Sequence, residues 1–185
     1  MLTSPRGQTK HAMTNETEHL KDAREQLNLV LSFFPRVEAK LSTVLAVDTA
    51  MVATLAASVP PAHSISPWSA GTAMIAMTLL ASSFLFLYLG AFPNLRGGYS
   101  SVIFFRDIAA RNEGQYLQDY QSKTPESLKS DVLSQAWRNA EILTVKYRRL
   151  KAAFVTMACA IVPWGIALAL FALERSNPNI TVIRP

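Results

Sequence analysis

Cations placed beside aromatic rings recur between residues 94 and 151 of this 185-residue chain. Arg138 follows Trp137, Lys146 precedes Tyr147, Arg148 and Arg149 follow it, and Arg106 and Arg111 come shortly before Tyr116. A guanidinium or ammonium group holds an anionic oxygen, and a ring offers a flat surface. Arg106, Arg111, Tyr116, Trp137, Arg138, Lys146, Tyr147 and Arg149 are therefore the candidates for binding a small anionic ligand. A plainer role stands beside this one. Lys146, Arg148, Arg149 and Lys151 come just before an apolar run, where basic residues anchor to lipid heads, and the rings can fill a helical core.

Asp48 is the second chemical feature, because it is the only formal charge between Leu41 and Pro93. About 10 Å inside a hydrocarbon layer a carboxylate is costly unless it is protonated, paired or wetted. Ala46, Ala50, Ala53 and Ala57 nearby form a small-residue stripe that lets another helix approach closely. Either Asp48 bonds a hydroxyl of an adjacent span, such as Thr72, Thr78 or Ser82, or it lines an oligomeric interface or conductive path.

Groups for catalysis are not assembled. The sequence has no Gly-rich phosphate loop with Lys and Ser/Thr, no Cys/His cluster and no Ser/His/Asp set that the topology unites. His11 and His19 lie in the N-terminal arm, and His63 falls across the membrane from them. The single Cys159 excludes an intrachain disulfide framework and a cysteine-based zinc cluster. The expectation is a protein that is not an enzyme and uses no cofactor or metal.

The elements that position these residues follow from hydropathy. Half of the residues are apolar and 17% are charged, but the charges are segregated, with none from Ala152 to Leu173. That segregation argues against a soluble globular enzyme. Leu41–Val59, Trp68–Phe92 and Ala152–Leu173 each approach the roughly 30 Å of a hydrocarbon core. Pro60, Pro61 and Pro67 turn the first two into a hairpin. Residues 1–40 carry six Lys/Arg and 94–151 carry ten, against none in the hairpin turn. The positive-inside rule then places the N-terminus and 94–151 in the cytoplasm.

Leu20, Ala23, Leu27, Val30, Phe34, Val37, Leu41 and Val44 alternate three and four apart, a seam that requires a partner helix. Pro35 predicts a kink in it. Tyr99, Ser100 and Ser101 are N-cap candidates for a helix reaching Gln121, and Thr124 with Pro125 opens another that runs unbroken through the third span. Pro163 and Gly165 predict a kink within that span.

Three strings in register with the spans carry a resemblance. Arg36-Val37-Glu38-Ala39-Lys40 leads into Leu45-Ala46-Val47-Asp48-Thr49-Ala50. Ser101-Val102-Ile103-Phe104-Phe105-Arg106-Asp107-Ile108-Ala109 follows with Tyr116, and then Gln135 with Lys146-Tyr147-Arg148-Arg149-Leu150. In order and spacing over about 140 residues they resemble the Pycsar effector transmembrane family. The resemblance implies antiphage defence, in which a partner pyrimidine cyclase makes cyclic CMP or cyclic UMP and the effector impairs the bacterial inner membrane. It supplies no residue-level motif for nucleotide contact.

The resulting expectation is an all-α membrane protein, with three transmembrane helices and a cytoplasmic helical bundle, the last span continuous with a long cytoplasmic helix. Its parts are an unstructured 1–14, an amphipathic helix 15–40, a transmembrane hairpin 41–93, a helical sensor 94–151, the third span 152–173 and a periplasmic tail 174–185. Membrane lipids, a cyclic pyrimidine mononucleotide and further copies of the chain are the expected partners, and nucleic acid is not. Two rival readings are a membrane scaffold recruiting a cytoplasmic partner through its helical arm, and a small ion channel.

Overall fold

The computed structural model describes the backbone of residues 5–92 and 101–176 and the side chains of 16–92 and 101–176. Among them the regular elements are α1 (Pro5–Leu31), α2 (Phe33–Ser58), α3 (Pro67–Ala91), α4 (Phe105–Ala109), α5 (Glu113–Gln121) and α6 (Pro125–Ser176), with one short 3-10 turn at Ala62–Ser64. Glu16–Ser58, Pro67–Ala91 and Pro125–Ser176 are long and apolar enough to cross a membrane. The chain is thus an all-α membrane protein with three candidate spans, and α6 is a single helix of 52 residues. Its contacts divide it into two units, Met1–Arg36 with Asn94–Thr144, and Val37–Pro93 with Val145–Pro185.

In the first unit, α1 starts at Pro5, so the stretch expected to be unstructured to residue 14 is helical from that point. Proline suits the first position of a helix, where its missing N–H would have no partner anyway. The break between α1 and α2 falls at Ser32, just ahead of Pro35. Pro35 cannot donate to the carbonyl of Leu31 and its ring crowds that group, so the helix yields one turn before the proline.

The expected single helix from residues 99–101 to Gln121 is two helices, and 101–104 is not helical. Side chains take the backbone donors that a helix there would need. Asp107 Oδ2 accepts the Ser101 N–H at 2.8 Å, Asp131 Oδ2 accepts the Val102 N–H at 2.9 Å, and Ser101 Oγ accepts the N–H groups of Ile103 and Phe104. Asn112 then caps a fresh helix through a reciprocal box with Gln115. Tyr99 and Ser100 lie outside the described residues. Thr124 Oγ1 accepts the Ser127 N–H and Pro125 opens α6.

The second unit packs α2, α3 and the later part of α6. The seam of α2 continues as buried Val37, Leu41, Val44, Met51 and Leu55. Alanines on the partner helices let the backbones approach, with Ala76, Ala153, Ala160 and Ala167 fully buried. Gly90 of α3 serves the same end, since a Cβ there would lie 3.3 Å from Arg149 Cβ and 3.5 Å from Leu41 Cδ2. Trp164 Nε1 donates to the Met51 carbonyl at 2.9 Å.

At the hairpin turn, Ser66 Oγ accepts the Ser69 N–H and begins α3. The Ser66 N–H donates to Glu174 Oε1 at 3.0 Å, so a glutamate from α6 supplies what a glutamate at the third helical position supplies in a capping box. Arg175 Nη2 donates to the carbonyls of Ala57 and Val59. The helix of the third span therefore continues to Ser176, past the expected boundary at 173.

Candidate functional site

A cavity of about 310 Å³ opens within the first unit. α1 brings Leu20, Arg24 and Leu27 to it, the 101–104 segment brings Val102 and Ile103, α5 brings Tyr116 and Tyr120, and α6 brings Leu128 and Val132. The helical spacing of Leu20 and Leu27 on the α1 seam fixes one wall. The carboxylates of Asp107 and Asp131 fix another by holding the non-helical backbone that carries Val102, which is 1% exposed. Tyr116 and Tyr120, one helical turn apart, have ring centroids 6.1 Å apart at an interplanar angle of 46°. Among the described lining residues Arg24 carries the sole formal charge. Apolar walls, two phenols and one guanidinium suit a small flat monoanion: the cation holds the charge, and the rings and aliphatic side chains take the rest.

The structure brings only Tyr116 of the expected binding residues to this cavity. Arg111 braces its frame, donating from Nη1 to the Ser101 carbonyl at 3.0 Å and pairing through Nε with Asp119 at 3.3 Å. Arg106 is exposed on α4 and does not line the cavity. Trp137, 63% exposed, and Arg138 border a separate, open depression on α6 with Lys129 and Ser130.

Lys146, Tyr147 and Arg149 fall in the second unit. Lys146 is buried and bonds Glu38 Oε1 at 2.9 Å, Lys40 Nζ stands 6.0 Å from the Tyr147 ring centroid, and the Arg149 stem packs on Gly90. These three positions join helices in that unit.

Asp48 is fully buried in the second unit, and neither carboxylate oxygen has a hydrogen-bond partner among the described residues. Thr72, Thr78 and Ser82, its expected hydroxyl partners, instead donate to carbonyls of their own helix. Ser83 of α3 is the polar side chain that faces Asp48. Its hydroxyl also stands 3.0 Å from the Ala153 carbonyl of α6, so that carbonyl and the carboxylate compete for one hydrogen. Ala46, Ala50 and Ala53 are exposed, on the opposite side of α2 from Asp48.

In comparison with protein families, the Pycsar effector protein domain matches residues 22–173. The chain belongs to the Pycsar effector family. Comparison with curated proteins and with solved structures finds no match. The matched region of the effector contains every lining residue of the cavity except Leu20, together with Asp48 and almost all of the three spans. The string from Ser101 to Ala109 supplies Val102, Ile103 and Ile108 to the cavity, so that resemblance falls on its wall.

Arg24 was not legible as a lining residue of this cavity. It sits beside the seam residue Ala23 on a helix far from the other lining residues in sequence, and only the fold brings α1 to α5. The available signal was a cation next to an apolar seam, with Lys21, Asp22 and Glu25 around it, which most amphipathic helices show.

Proposed function

We propose that this Pycsar effector is switched on by a cyclic pyrimidine mononucleotide, cyclic CMP or cyclic UMP, supplied by a partner cyclase, and that its spans then impair the bacterial inner membrane. In this reading the N-terminus and residues 94–151 face the cytoplasm, where the nucleotide is made, and several copies act together. The chain binds and responds; it carries no catalytic step.

The observation that carries the reading is the cavity of the first unit. At about 310 Å³ it stands at the small end of ligand sites, which run roughly 300–1,000 Å³. A cyclic mononucleotide has one ring system and a single phosphodiester charge. One guanidinium, two tyrosines and aliphatic walls match that inventory, whereas a triphosphate calls for several cations or a metal.

Calorimetric titration of the purified full-length protein in micelles with cyclic CMP, cyclic UMP, cyclic AMP and cyclic GMP tests this. At least one cyclic pyrimidine nucleotide is expected to bind, and Arg24→Gln to weaken it about tenfold, the lower range for a charge-assisted contact. Lys129→Gln, on the open depression, is expected to leave affinity unchanged. Absence of binding by any of the four removes the reading, and equal affinity in Arg24→Gln removes this cavity from it.

A further inference from the structure

Asp48 does not line the cavity of the first unit, yet it is the one acid enclosed in the apolar part of the spans. From Leu41 to Ala91 and from Ala152 to Leu173 the sequence has no Lys or Arg, and His63 lies in the hairpin turn. The charged groups nearest in sequence, Lys40 and Lys151, are exposed at the ends of these stretches. Ser83 offers one hydrogen that the Ala153 carbonyl also claims, and the carboxylate has no counter-charge from the described residues. Burial of such a group penalises the packed arrangement and favours any arrangement in which water or a mobile cation reaches it. Asp48 Oδ1 and Oδ2, Ser83 Oγ and the Ala153 carbonyl are all hard oxygens drawn from three different helices. Carboxylates and carbonyls are the groups from which cation pathways are built.

We infer that Asp48 and Ser83 form a binding site for a hydrated alkali cation, closed in the packed spans and opened when α2 separates from α3 and α6. The inference rests on the membrane-impairing output proposed above. It adds that the breach prefers cations and runs past Asp48.

The test uses full-length protein in phosphatidylethanolamine/phosphatidylglycerol vesicles under a KCl gradient, with cyclic CMP or cyclic UMP added and the diffusion potential read by dye. Wild type is expected to leak K⁺ several-fold faster than Cl⁻. Asp48→Asn, equal in size but without the charge, is expected to leak with that preference lost. Asp48→Leu is expected to leak less and, without nucleotide, to melt several degrees higher because the unpaired group is gone. A leak from wild type with the same ion preference in Asp48→Asn overturns the cation site and leaves the membrane-impairing reading standing. Absence of any leak from wild type overturns both. An unchanged or lower melting temperature for Asp48→Leu shows that the carboxylate does not burden the packed spans, and overturns the inference without reference to nucleotide.

Discussion

Asp131 sits outside the cavity wall but holds it in place, and that role can be measured. Its Oδ2 accepts the Val102 N–H at 2.9 Å, and Val102 is 1% exposed while the carboxylate is in place. A hydrogen bond to a charged acceptor contributes about 1.5–3 kcal/mol, and an abandoned buried donor costs a similar amount. Asp131→Ala is expected to destabilise the 101–104 segment by about 2–3 kcal/mol. Asp131→Asn keeps an oxygen acceptor but loses the charge, and is expected to lose about half as much.

Amide hydrogen exchange in micelles reads this directly. At 1.4 kcal/mol per factor of ten, exchange at Val102 should accelerate roughly 30- to 150-fold in Asp131→Ala. Nucleotide affinity should fall with it, since Val102 and Ile103 line the cavity. If exchange over 101–104 is as slow in Asp131→Ala as in wild type, the carboxylate does not hold the segment and the account of the wall is wrong.

Two further outcomes follow from other parts of the chain. Gly90→Val places branches where even a Cβ would lie 3.3 Å from Arg149 Cβ, so a loss of about 1–3 kcal/mol in thermal unfolding is expected, with Gly90→Ala losing less; a valine variant as stable as wild type refutes the close approach. A reporter fused after Gln121 should be active only in a cytoplasm-dependent assay and one fused at Pro185 only in a periplasm-dependent assay; the reverse pattern removes the proposed orientation.

Hydropathy and the three-four seam made the spans and the packed face of α1 and α2 legible, because Leu20, Ala23, Leu27, Val37, Leu41 and Val44 all turn inward. These patterns are set within one helix. The non-helical 101–104 segment was not legible, since the Asp131 carboxylate that takes the Val102 N–H lies 29 residues away. The candidate site was legible at Tyr116 alone. Lys146, Tyr147 and Arg149 have the residue types that bind nucleotides, but composition cannot distinguish a ligand contact from a helix contact, and here they join helices. One further feature was within reach of simple geometry. Asp48 lies two residues from Ala46 and from Ala50, and residues two apart on a helix point to opposite sides, so the acid and the alanine stripe could never share a face.

The contacts of Glu174 and Arg175 also bear on biosynthesis. Ala57, Val59 and Ser66 emerge from the ribosome more than a hundred residues before the side chains that satisfy them. Until then the hairpin can insert, but carbonyls at the end of α2 and the first N–H of the α3 cap lack their native partners. Closure of this end therefore waits until translation has passed Arg175. A ribosome that stalls within the third span leaves a hairpin without its clasp.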